Sequence, residues 1–221
     1  MKKIFLVIII IAAAAESSAA QNINGRSLND DQQNIIQFNF GFDFGATAEI
    51  SYSRATTIVK PVVFSVEYSN PMGNIVLDDF KVRLGGQVEL IEFGGFSITA
   101  KLYSNFRRFK NALVRTVGFG SDFSTVAGYF APTWHAAVEF GFDKSIISHI
   151  QHSDIMKNNF PQIKDGWYIP LGGHYYYGIQ GSKTIGETLD ISLRLGFTKA
   201  QFNDENAVLP AYIQLGTGMR F

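Results

Sequence analysis

The chain of 221 residues is long enough for one domain or one barrel and short for two domains. It has no cysteine, hence no disulfide, thiolate nucleophile or cysteine-based zinc site, and its 19 basic and 19 acidic residues leave no electrostatic footprint for a nucleic acid. Charged residues make up only 17%, while 20 Phe and 21 Gly stand out, so the chain is either very well buried or turned toward something other than water.

Residues 1–20 read as a secretory signal peptide. Lys2 and Lys3 form a basic start, Ile4 to Ala15 is an unbroken apolar run, and Ser18 and Ala20 are the small residues of a cleavage site before Gln21. The run is too short for a transmembrane helix, which needs roughly 20 residues. Residues 21–35 are expected to form a polar periplasmic leader, and 36–221 the folded unit.

From Phe38 onward the sequence alternates with a period of two, the signature of strands with one apolar and one polar face. Phe38, Phe40, Phe42, Phe44, Ala46, Ala48, Ile50 and Tyr52 alternate with Asn39, Gly41, Asp43, Gly45, Thr47, Glu49 and Ser51. The pattern returns around Val62–Tyr68, Phe80–Val88, Phe96–Leu102, Val117–Tyr129, Trp134–Phe142, Tyr175–Ile179, Leu189–Phe197 and Ala211–Phe221. These are nine runs, and a closed bacterial barrel needs an even number of strands. Phe38–Tyr52 is too long for one crossing of about 9–11 residues. A hairpin near Phe44-Gly45-Ala46, with an odd-numbered loop that preserves parity, gives ten strands; eight is the alternative.

Short turns are expected near Lys60-Pro61, Gly94-Gly95, Ala131-Pro132 and Lys183–Gly186. Longer loops are expected at Ser69–Asp79, Ser104–Asn111, Ser145–Leu171 and Ala200–Pro210. Short periplasmic turns and longer extracellular loops are the pattern of an antiparallel transmembrane β-barrel, an all-β fold. A secreted lipocalin-like barrel would share the period with the faces reversed. Three features favour the membrane form. The polar face is rich in Gly, Ser and Thr and poor in Lys. Aromatic residues gather near strand ends, with Tyr129 and Trp134 at one level and Tyr68, Phe80, Tyr103, Phe142, Tyr175 and Phe197 at the other. The chain also ends in a strand whose last residue is Phe221.

The segment Ala211–Phe221, with Ile213, Leu215 and Met219 alternating before the terminal Phe221, resembles the C-terminal assembly signal of Gram-negative outer-membrane β-barrel proteins. Glu139-Phe-Gly-Phe-Asp-Lys144, His149–Asp154 and Asp165-Gly-Trp-Tyr168 are also similar to small outer-membrane proteins of the Bacteroidetes type. The resemblance implies residence in the outer membrane of a Gram-negative bacterium after cleavage near Ala20-Gln21. It implies membrane lipid and the barrel-assembly machinery as partners, with the ligand unknown. It carries over no activity.

Candidate chemistry is sparse. A short helix over Ser145–His152 would set His149 and His152 on one face, with Asp154 completing a three-ligand metal set. An ordinary polar loop is the competing reading. Trp167 and Tyr168 could bind a sugar or lipid, or belong to the outer girdle. The polar face collects Glu49, Glu67, Lys81, Arg83, Glu89, Lys101, Glu139 and Arg194, with Asp43 and Arg220. Inside a narrow barrel these charges must pair. They form either an ion-paired plug, which is the favoured reading, or the constriction of a small pore for ions or solutes. A lipid-active enzyme is the third reading; His135 and His174 fall on the polar face, away from lipid. No cofactor, catalytic residue or nucleic-acid partner is expected.

Overall fold

The computed structural model describes residues 32–42, 45–57, 61–72, 77–170, 172–202 and 210–221. The segments expected as signal peptide and most of the expected leader, with Asp43 and Phe44, lie outside them. The strands are β1 (Asn34–Phe42), β2 (Ala46–Thr57), β3 (Pro61–Pro71), β4 (Asp79–Phe93), β5 (Phe96–Lys110), β6 (Val114–Ala131), β7 (Trp134–His152), β8 (Gly166–Tyr168), β9 (His174–Ile185), β10 (Leu189–Ala200) and β11 (Ala211–Arg220). One helix, α1 (Asp154–Asn159), sits between β7 and β8.

All strands except β8 pair antiparallel with their neighbours in sequence order, β7 with β9, and β1 with β11. The result is a closed barrel of ten strands. The long alternating run does divide: Phe42 pairs with Ala46 across the connection at 43–45. The first strand begins earlier than expected. Asn34 and Ile35, assigned by sequence to the leader, find register partners in Arg54 and Arg220 and so belong to the wall.

Both ends of the barrel lie on one rim, the lower rim, with the end of β2, the start of β3 and the turns at 94–95, 132–133 and 186–188. The upper rim carries the connections at 43–45, 72–78, 111–113, 153–173 and 201–210. Two segments expected as loops are strand. Ser104–Lys110 continues β5, and only Asn111–Leu113 turns the chain; the Asn111 side chain accepts from Leu113 N and Val114 N at 2.9 and 2.8 Å. Ser145–His152 continues β7, paired with β6 as far as Val114.

The wall is therefore uneven. β1 and β11 have 9 and 10 residues, close to one membrane crossing, whereas β6 and β7 have 18 and 19. β9 begins at His174, level with Asp143, so Lys144–His152 rises above it, held by β6 and near the top by β8. A β-bulge between Phe119 and Gly120 lies at the base of this projection.

Side chains divide as the period requires. Phe40, Phe64, Phe140, Leu193 and Leu215 lie on the exposed exterior, while Glu67, Lys81, Arg83, Lys101, Glu139 and Arg194 are buried inside. Tyr103 is a correction. It is 2% exposed, inside the barrel, because it is an odd position beside outward Leu102 and cannot join the outer girdle.

Candidate functional site

The interior is a polar network that links strands one to three places apart around the wall. Arg194 of β10 donates from Nε to Glu139 Oε1 of β7 at 2.6 Å and from Nη1 to Gln214 of β11 at 3.1 Å. The Tyr212 hydroxyl donates to the same Glu139 oxygen at 2.5 Å, and the Arg194 guanidinium lies 4.2 Å from the Tyr212 ring centre. Arg83 of β4 pairs with Glu67 of β3 and reaches Glu49 of β2 at 3.6 Å. Asn39 of β1 donates to Glu49 at 2.7 Å. Lys81 binds Asp143 at 3.1 Å, whose other oxygen accepts from Asn105 at 2.9 Å. The Tyr176 hydroxyl donates to Asp122 at 2.9 Å. Lys101 lies within electrostatic reach of Glu139 and Glu67.

Backbone geometry makes room for these large groups. A Cβ at Gly141 would collide with the Tyr176 ring, and one at Gly178 or Gly196 with the Tyr212 hydroxyl. Part of the unusual glycine content is thus explained: small residues on the inner face seat tyrosines from neighbouring strands.

Nearer the lower rim, Arg220 donates to Asp190 from Nε at 2.5 Å and to Thr184 at 3.1 Å. His135 Nδ1 lies 2.7 Å from Ser182 Oγ, with the ring stacked on Phe130. Both are enclosed by the wall rather than presented to lipid.

The upper projection is held differently. Asp165 accepts from His152 N at 2.8 Å and pairs with Lys157 Nζ at 2.6 Å and His152 Nδ1 at 3.0 Å. The Lys157 ammonium first, then the His152 backbone N–H, hold this carboxyl well below the usual carboxylate range. Ser153 caps α1 by accepting from Met156 N, and Met156 is buried beneath it.

The expected lumen charges Glu49, Glu67, Lys81, Arg83, Lys101, Glu139 and Arg194 come together inside; Glu89, beside the β4 bulge, is only partly buried. The proposed metal set does not form. Ser145–His152 is strand, so His149 and His152, three apart, take opposite faces. His149 packs against Trp167 at 5.0 Å, His152 binds Asp165, and Asp154 opens α1 in an exposed position. Trp167 and Tyr168 are exposed on β8. Ile213, Leu215 and Met219 point outward, and Phe221 exchanges backbone hydrogen bonds with Asn34, closing the first strand onto the last. Asp122, Asp143, Tyr176 and Tyr212 were passed over as network members. Parity places all four inside, but local spacing does not say which strand each one meets across the barrel.

An apolar exterior, a charged and hydrogen-bonded interior and a sheet closed on itself define a transmembrane β-barrel of the outer-membrane type. No family model and no curated protein matches the chain. Among solved structures it is similar to the KdgM porin, at TM-score 0.41 and 8% identity over 85% of this chain and 99% of that one. It is also similar to the outer-membrane protease OmpT of Escherichia coli, at TM-score 0.42 and 8% identity over 89% and 97%.

Proposed function

We propose that the protein is a non-enzymatic outer-membrane barrel with a closed lumen, whose upper rim faces the cell exterior and serves a structural or surface-binding role. The observation that carries this reading is the enclosure of the interior charges. Arg194, Lys81 and Lys101 are each at most 1% exposed, although a continuous water path would have to run past them. Side chains fill most of the interior in barrels of this size. The Arg194–Glu139–Tyr212 and Lys81–Asp143–Asn105 groups each tie together strands two or three places apart around the wall. Enclosure of His135 and Ser182 supports the absence of lipid chemistry, since a lipid hydrolase needs its base at the hydrocarbon surface.

The test is single-channel recording of the purified protein in planar bilayers. No stepwise conductance is expected from the wild type, whereas an Arg194→Ala/Glu139→Ala variant, which removes the central pair, should show openings. Regular conductance steps in the wild type would favour the pore instead. Lipid hydrolysis by the wild type that is lost in a His149→Ala/His152→Ala or a Ser182→Ala variant would favour the enzyme.

A further inference from the structure

The exterior carries a second pattern that the lumen does not explain. An aromatic stripe crosses four strands near the upper edge of the apolar band. Tyr68, Phe80, Phe106 and Phe119 follow one another at ring separations of 5.8, 5.9 and 5.2 Å. Phe142, Tyr175, Tyr177 and Phe197 continue it on the far side. Directly above each part of this girdle, on the same outward face, stands a cation. Arg108 follows Phe106 by two residues and Lys110 by four, Lys144 follows Phe142 by two, and Lys199 follows Phe197 by two. Arg115 lies four residues beyond Phe119 and is the direct cross-strand partner of Lys110; Arg108 is the partner of Val117. Asp78 bridges into the group, 3.6 Å from Arg108 and 3.3 Å from Lys110. Among the described residues, no outward strand position above the girdle is a carboxylate.

This arrangement fits one kind of molecule, with apolar chains below and anionic groups above. Acyl chains would lie along Phe80, Phe106 and Phe119, and phosphate oxygens would reach Arg108, Lys110 and Arg115, where the guanidinium forks match phosphate geometry. The tall wall of β5–β7 supplies these cations on backbone that continues above the apolar band, so a headgroup meets a rigid surface there rather than a loop. We infer that the outer face of β4–β6 is a binding site for a phosphorylated glycolipid of the outer leaflet, with Arg108, Lys110 and Arg115 as its phosphate-binding residues. The inference rests on the proposed orientation, with the upper rim outside.

The experiment is native mass spectrometry of the full-length protein in detergent micelles, titrated with bisphosphorylated lipid A and with its dephosphorylated form. The wild type should retain the bisphosphorylated lipid, and an Arg108→Gln/Lys110→Gln/Arg115→Gln variant should bind it at least about tenfold more weakly, in keeping with the value of each surface cation against anionic lipid. The dephosphorylated lipid should bind wild type and variant alike. An Arg54→Gln/Lys183→Gln variant, which removes outward cations from the lower half of the barrel, should bind as wild type. Heat-modifiable gel migration reports folding of every variant, and Arg115→Gln alone, at an exposed position, serves if the triple variant does not fold. Equal affinity of wild type and triple variant, equal binding of both lipids by the wild type, or an equal loss in the lower-half variant would overturn the inference. Orientation is read separately by impermeant-thiol labelling of Ile169→Cys on intact cells: no labelling overturns the placement of the rim while leaving the measured lipid affinity standing.

Discussion

The lower half of the barrel and the wall of β5–β7 above it are built from the same strands under different solvents. Below, each strand meets lipid on one side and the polar interior on the other, so Val138 and Phe140 point out while Glu139 points in. Above, both faces meet water or headgroups. Arg107 and Arg108 are successive residues on opposite faces, and both are charged; the inward one pairs with Asp79 at 3.7 Å and the outward one with Asp78 at 3.6 Å. Hydrogen bonding keeps the strand continuous across this boundary, while the contrast between its faces fades.

The largest expected effect lies inside the lower region. Replacing Arg194 by Met leaves Glu139 enclosed without its cation and should cost about 3–5 kcal/mol, seen as an earlier urea unfolding midpoint in lipid vesicles. Adding Glu139→Gln should recover part of the loss. The comparison is tested most directly on one strand: Val138→Arg puts a charge against the bilayer interior and should cost about 2–4 kcal/mol, whereas Gln151→Arg on the same face above the lipid should cost almost nothing. If the two cost the same, the wall does not leave the membrane where we place the boundary. Gly141→Val should displace the Tyr176 ring and lower stability by about 1–3 kcal/mol, with a perturbed near-ultraviolet tyrosine signal as the marker.

The smallest effect concerns the clasp of the projection. The depressed Asp165 carboxyl contributes to docking of α1 and β8 at every pH above its unfolded value of about 4, and that contribution is lost only as pH falls through the lower folded value. Hydrogen exchange in α1 and β8 should therefore stay slow down to pH 4 and quicken only in stronger acid, while Asp165→Asn should loosen both elements at neutral pH.

The same contrast explains what could be read from the residues alone. Ten strands, the split near Gly45 and the inward set from Glu49 to Arg194 were legible because one-sided contact with lipid imposes a strict period of two. Ser104–Lys110 and Ser145–His152 looked like loops because each face there mixes polar and apolar residues, Phe106 with Arg108 on one side and Arg107 with Phe109 on the other, and the bulge opposite Phe119 shifts the period in β7, so alternation carries no clean hydropathy signal. Pairings such as Arg194 with Glu139, 55 positions apart, depend on the curvature of the closed wall, which no local spacing records. The cations above the aromatic stripe were likewise hidden, since what gives them meaning is that neighbouring strands bring them to one height.

The unequal strand lengths also decide where this molecule has slack. The seam of β1 and β11 crosses with 9 and 10 residues, so trimming two from either would leave backbone amides stranded in hydrocarbon. The crest at the β6–β7 side holds a surplus of roughly eight residues over a minimal crossing, and foreign sequence grafted there would stand clear of the bilayer without touching the part that must span.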